Sequence, residues 1–170
     1  MNTEVVYESE FGATRLIAEA IAEGIGSSAR VTDVRVPRPA PDGSLLVVGA
    51  PTHARSMPTA ATRHEAQSWP DRAGSRRHLE PGSTRPGVRE WLAHTRLDGV
   101  EAIAFTTRAS MSRLLSGSAT VAIARGLRFA GAQIAGQAEE FLVTADGSLV
   151  TGELARARAW GATISAAAPE

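Results

Sequence analysis

The chain has 170 residues, 43% of them apolar and 21% charged, which suits one globular domain with a substantial core. Its 18 basic residues balance 18 acidic ones, so there is no basic surplus to hold nucleic acid, and every basic residue is arginine. No cysteine is present, which excludes disulfides, iron–sulfur ligation and thiol catalysis and means that any redox chemistry needs a borrowed cofactor.

Val5, Val6 and Tyr7 read as a short buried strand. Ser9–Thr14, SEFGAT, is a tight turn of small residues. Leu16, Ile17, Ala20, Ile21 and Ile25 then recur at three- and four-residue spacing, which predicts an amphipathic helix. Such a helix points its first free backbone N–H groups and the positive end of its dipole at the turn, where a phosphate finds a site. Val31–Val36 alternates apolar and polar residues and reads as an edge strand. Pro37–Gly43 holds three prolines and cannot be regular structure. Leu45–Gly49, LLVVG, is continuously apolar and suits a strand covered on both faces.

Ala50–Pro58 follows at the carboxyl end of that strand, where ligands bind in parallel sheets. Thr59–Trp69 reads as a short helix, and Pro70–Gly87, rich in Arg, Gly, Pro and Ser, as a long mobile surface loop. Val88–His94 is a helix with Val88, Trp91 and Leu92 on one face. Val100–Phe105 is a strand with Thr106, Thr107 and Arg108 at its carboxyl end. Ser116–Ala130 reads as a helix capped by Ser116 or Ser118, with Val121, Ala124, Leu127 and Phe129 inward. Ala132–Ala135 and Glu140–Thr144 read as two parts of one last strand. Thr151 caps a final helix whose stripe is Leu154, Ala157, Trp160, Gly161 and Ile164. Strands alternating with helices predict a parallel sheet wound on both sides, in the order 2-1-3-4-5 with a ligand at the switch point between strands 1 and 3.

Three segments resemble the flavodoxins. Ser9-Glu10-Phe11-Gly12-Ala13-Thr14 is similar to their phosphate turn, close to [ST]-x-[ST]-G-x-T. Gly49-Ala50-Pro51-Thr52-His53-Ala54 resembles a loop on one face of the flavin ring, and Phe105-Thr106-Thr107-Arg108 stands where the other ring-binding loop lies. The tail around Phe141, Glu153 and Trp160 is also similar. The resemblance spans nearly the whole chain outside residues 63–87. It implies a single flavodoxin-like domain over 1–170, an α/β three-layer sandwich with a five-stranded parallel sheet, and a long surface loop at about 63–87. It also implies noncovalent FMN held by Ser9, Glu10, Phe11, Gly12, Ala13, Thr14, Pro51, Thr52, His53, Ala54, Thr106, Thr107 and Arg108. Ser9 and Thr14 would supply hydroxyls, and Gly12 would allow close backbone approach.

The sequence departs from that pattern in several places. Phe11 replaces a hydroxyl residue and Ala13 a common Asn, removing up to two hydrogen bonds to a charged acceptor, each worth roughly 1.5–3 kcal/mol. Glu10 places a carboxylate near the phosphate unless it points outward, and Arg15 in the first helical turn can offset it. His53 stands where a stacking Trp is common. Arg55 or Arg108, set near the ring's N1–C2 edge, would raise the flavin potential. Trp69 borders the long loop and reads as packing it, with folding over the pocket as the alternative.

The resemblance implies electron transfer on FMN, with a redox protein or a small-molecule acceptor as partner and no catalytic acid or base. Two alternatives stand beside it: a small quinone-type flavin reductase, and a flavodoxin-fold binding module that has lost FMN. A deazaflavin is a further possible ligand. His53, His64, His78 and His94 lack metal-ligand spacing, so no metal is expected. No apolar run reaches the roughly 18 residues of a membrane span. MNTEVVYESE lacks the order of a secretory signal, which makes the cytoplasm the expected location.

Overall fold

A computed structural model of the protein describes residues 2–36 and 45–167. The proline-rich segment 37–43 lies outside the described residues. Strands β1 (Thr3–Tyr7), β2 (Ala29–Asp33), β3 (Leu45–Pro51), β4 (Glu101–Ala109), β5 (Gln133–Ile134) and β6 (Glu139–Val143) form one parallel sheet. Its order is β2-β1-β3-β4-β5, with β6 also paired to β4. The fifth position therefore holds two short strands in series. β5 pairs with Glu101 and Ala102, and β6 with Phe105–Ala109. Between them runs Ala135–Ala138, AGQA, which has no β-branched or aromatic residue to sustain a pleat.

The helices are α1 (Ala13–Ile25), α2 (Ala60–Ala66), α3 (Val88–His94), α4 (Arg113–Ser116), α5 (Thr120–Phe129) and α6 (Glu153–Ala167). Side chains alternate across a strand, so each strand feeds two cores. Val6, Leu46, Val48 and Ala104 pack with Val88 and Leu92 of α3 and Ile123 and Leu127 of α5. Val5, Val47, Ile103 and Phe105 pack with Ile17 and Ile21 of α1 and Ala157 and Ile164 of α6. The result is the expected three-layer sandwich. β3 is buried throughout except Pro51, as its uninterrupted apolar run predicts. α1 and α6 cross closely: a Cβ on Gly24 would overlap the Arg158 carbonyl, and one on Gly161 the Ile21 carbonyl.

Some expectations are corrected. The helix read over 116–130 is α5 alone, preceded by the separate turn α4 and by Gly117 at φ +69°. Its buried residues are Thr120, Ile123 and Leu127, whereas Val121 and Phe129 are exposed, Phe129 at 82%. Ser118 Oγ accepts from the Thr120 N–H at 3.3 Å, one residue ahead of the expected capping pattern. In α1, Leu16 faces solvent and Ala18 is buried instead. Thr151 precedes α6 without capping it, because Gly152 at φ +92° supplies the carbonyl that Arg156 N–H bonds. Residues 63–66 belong to α2, and Trp69–Asp71 form a 3-10 turn. The rest of the segment inserted in the β3–β4 connection before α3, residues 72–86, is not a free loop. Glu80 N–H bonds the Glu10 carbonyl, and Arg76 N–H bonds the Asp146 carbonyl.

Candidate functional site

The turn between β1 and α1 owes its shape to two residues. Ser9 is buried, and its Oγ accepts from the Gly12 N–H at 3.0 Å. Gly12 caps α1 at φ +90°, a conformation that costs glycine little. The first-turn N–H groups of α1, with no intrahelical acceptors, point into the same space as Thr14. Thr14 and Thr107 bring their hydroxyls together at 2.7 Å.

Thr106, Thr107 and Arg108 lie within β4 rather than beyond it, and the pleat sends neighbours to opposite faces. Thr107 meets the turn. Thr106 turns away, donating to the Ala50 carbonyl at 2.7 Å and meeting Thr52 Oγ1 at 3.0 Å. At the end of β3 the chain doubles back, with His53 and Ser56 exchanging backbone bonds of 2.9 Å. Ala54 and Arg55 sit at the outside of that turn with positive φ.

The carboxyl ends of β1, β3 and β4 enclose a cavity of about 260 Å³. Of the predicted residues, Glu10, Phe11, Ala13, Thr14, Pro51, Thr52, His53, Thr107 and Arg108 line it. Ser9, Gly12, Ala54 and Thr106 do not; the first two shape the turn, Thr106 faces the other way, and Ala54 is exposed. The insertion adds Trp69, which takes the alternative place over the pocket, together with Arg72 and Arg77, which the sequence did not point to, and Gly147 adds part of the wall. Trp69 stacks on Phe11 at 5.7 Å and tilts against His53 at 5.0 Å. The local pattern that points to this wall is Trp69–Arg77, WPDRAGSRR, an aromatic followed by arginines just after α2.

His53 is 4% exposed, and its Nδ1 has no partner among the described residues; the same holds for Trp69 Nε1. Burial, with Arg63 adding to it, lowers the His53 pKa to about 4, so the imidazole is neutral near pH 7. Buried polar atoms without partners are uncommon, and two of them on one cavity mark a place where a ligand's polar edge would be accommodated.

Glu10 does not point outward, and Arg15 does not offset it. Glu10 is 1% exposed and accepts from Arg35 at 2.9 Å, while Arg15 bonds Glu80 at 2.7 Å and Glu19 at 2.9 Å. Glu8 lies in the same buried cluster, held by Arg63 at 3.1 Å and the Val88 N–H at 2.8 Å. Arg63 also reaches Glu90 at 2.7 Å. Gly87 makes room for this cluster, since a Cβ there would strike the Glu8 carboxylate. Burial pushes the Glu10 carboxyl up to about 8, with Arg35 opposing and neighbouring Glu8 adding to the rise. Arg108 is paired with Glu140 at 2.7 Å. A wider groove beyond β6, about 580 Å³, is lined by Arg113, Glu139, Glu140 and Arg156. There the ion pairs close on one another, so we take the strand-end cavity as the site.

No protein-family model matches the sequence, and no curated protein sequence does. Solved structures do match. A flavodoxin from the domain Archaea superposes with a TM-score of 0.60 at 19% identity, covering 98% of this chain and 97% of its own. Flavodoxin 1 from Bacillus cereus gives 0.61 at 15% identity, covering 99% and 100%. The Streptococcus pneumonia flavodoxin gives 0.58 at 16%, covering 98% and 99%.

The fold is that of the flavodoxins. On the flavodoxin fold the cavity lies where the topology rule puts a ligand, at the switch point between β1 and β3. Among the described residues, no helix is long and apolar enough to cross a membrane.

Proposed function

We propose that this chain binds FMN noncovalently in the strand-end cavity and carries electrons on it. The observation that carries the reading is the convergence on one cavity of the glycine turn, the Thr14–Thr107 hydroxyl pair and an aromatic wall of Phe11, Trp69 and His53. The flavodoxin names of the structural neighbours support it.

The residues present fit the cofactor. The turn offers backbone N–H groups and a helix N-terminus to a phosphate. His53 Nδ1 is an unpartnered polar atom at the wall, suited to the polar rim of a flat ring. Bound there, FMN would supply reversible one- and two-electron chemistry. The protein's own part is to hold and to exclude. Thr14 and Thr107 each keep lone pairs and one free proton between them to orient toward a ligand. Neutral His53 adds no charge beside the ring. Phe11 and Trp69 keep water from the inner wall. The cavity is small for a cofactor site, so part of the ring would stand in its mouth.

The visible absorption spectrum tests this reading. Purified protein with free flavin removed retains flavin bands near one per chain. Colourless protein that gains no thermal stability from added FMN overturns it and points to a module that has lost FMN.

Glu10 favours a second reading, a reductase of a quinone-type acceptor. Its carboxyl lines the cavity, has one oxygen without a partner, and burial pushes its pKa up to about 8 although Arg35 opposes the rise. Such an acid suits a reaction that takes up protons with its electrons. Stopped-flow oxidation of the reduced protein by quinones separates the two: a rate no faster than that of free FMN rejects the reductase.

A further inference from the structure

The arginines around the cavity are matched by carboxylates with one exception. Arg15 is taken by Glu80 and Glu19, Arg35 by Glu10, Arg63 by Glu8 and Glu90, and Arg108 by Glu140. Arg77 has no carboxylate partner among the described residues. Its guanidinium donates to the Ala145 carbonyl at 3.1 Å and lies 5.8 Å from the ring centres of both Phe11 and Trp69. Gly147, at φ +94°, gives it passage, because a Cβ there would collide with the Arg77 stem. Asp146, the nearest acid in sequence to this cradle, is taken by Arg76 at 3.4 Å and by Thr144 and Ser148.

Arg77 is therefore a positioned cation on a cavity wall. Burial and neighbouring Arg72 lower its pKa, while Asp146, already paired with Arg76, opposes the shift. Arg72 lies 5.2 Å from the same indole, with only exposed Glu65 at 4.0 Å to balance it. Trp69 Nε1, buried without a partner, supplies a donor on the same wall. Phe11, the ring beneath Arg77, occupies the turn position where a hydroxyl was expected. A guanidinium fork, an indole N–H and a second guanidinium suit a group with several acceptor oxygens and negative charge.

We propose that Arg77, with Trp69 Nε1 and Arg72, forms an oxyanion subsite that receives a phosphoryl group in the cavity. The inference rests on the cavity being a ligand site and goes further by placing the anion-binding group on the insertion. The phosphoryl group has two possible sources, the flavin's own phosphate and a phosphorylated second ligand.

The first arm uses apo protein and inorganic phosphate against chloride at equal ionic strength. Phosphate raises the Tm of the wild type and of Arg76→Gln but not of Arg77→Gln, and Arg77→Lys recovers part of the response. Equal responses in wild type and Arg77→Gln, or none in the wild type, overturn the subsite. The second arm compares FMN with riboflavin, which lacks the phosphate. A loss of about tenfold in FMN affinity in Arg77→Gln, with riboflavin unchanged, assigns the subsite to the flavin phosphate. Unchanged binding of both, with FMN-loaded wild type still stabilised by phosphate, assigns it to a second ligand. A chain that binds neither flavin yet loses its phosphate response with Arg77 keeps the subsite and rejects FMN.

Discussion

Thr14 and Thr107 are 93 residues apart in sequence, yet their hydroxyls meet at 2.7 Å where the first helix begins and β4 ends. Each hydroxyl can donate once and accept twice, so the pair satisfies itself and still has capacity for a ligand. Replacing Thr14 by Val leaves Thr107 Oγ1 without its partner at a buried site. The expected outcome is a stability loss of about 1 kcal/mol and roughly tenfold weaker FMN binding. Thr106→Val, on the opposite face of the strand, should lower stability and leave FMN affinity unchanged. Flavin fluorescence titration of both variants checks this, and equal dissociation constants reject the role given to Thr14.

The Glu8–Arg63 pair sits with both side chains at 2% exposure or less. Arg63→Met removes the guanidinium that faces Glu8 and leaves the buried carboxyl with the Val88 N–H and neighbouring Glu10. A cost of about 3–5 kcal/mol follows. Adding Glu8→Gln should recover part of it, because the uncompensated charge is then gone. Urea denaturation of the single and double variants measures both effects. A single variant within 1 kcal/mol of wild type, by the usual order of surface changes, would show that the pair carries little.

Stability should depend on pH through His53 and, with the opposite sign, the buried carboxyls Glu10 and Glu8. His53 takes up its proton near 6.5 when unfolded and near 4 when folded. Its contribution is therefore whole above 6.5 and is lost as pH falls to 4, by on the order of 3 kcal/mol. Glu10, flanked by Arg35, Glu8 and Arg63, loses its proton near 4.5 unfolded and near 8 folded, so stability falls as pH rises between those values. Between 4.5 and 6.5 the slopes oppose; above 6.5 Glu10 and Glu8, whose carboxyl burial also pushes up, act without His53 and stability declines. Denaturant midpoints across this range check it. Glu10→Gln should flatten the alkaline limb and His53→Gln the acidic one.

Gly161 and Gly24 face each other where α1 and α6 cross. Gly161→Ala drives a methyl into the Ile21 carbonyl, and the helices must part. About 2 kcal/mol of destabilisation is expected, read as a lower thermal midpoint. An unchanged midpoint would mean that the helices separate at little cost.

The sheet was legible because LLVVG and VEAIAF are apolar runs that suit strands buried on both faces, and the broken last strand was legible as two pieces. The longer reach of β4 was less so: Thr106-Thr107-Arg108 looks like a polar loop, but β-branched threonines sustain a pleat. The α5 face was misread because apolar character was given more weight than register. Beginning the helix at Thr120 puts Thr120, Ile123 and Leu127 inward and leaves Phe129 outside. At the site, the turn and the two strand-end segments were visible as local patterns. The Glu10–Arg35 pair was not, because its partners are brought together only by the pairing of β1 with β2. Nor was Arg77, and Trp69 was visible only as an alternative; both reach the cavity through an insertion with no periodicity of its own.

That insertion is fastened at both ends of the cavity: Glu80 N–H bonds the carbonyl of Glu10, and Arg76 N–H bonds that of Asp146. It thus ties a loop from the first tenth of the chain to one from the last sixth. A molecule lodged against Trp69 and Arg77 would leave on the timescale at which these backbone bonds break together. Residence time would then be set by local unfolding of the strap, and two ligands of equal affinity would dissociate at different rates according to how far each required it to open.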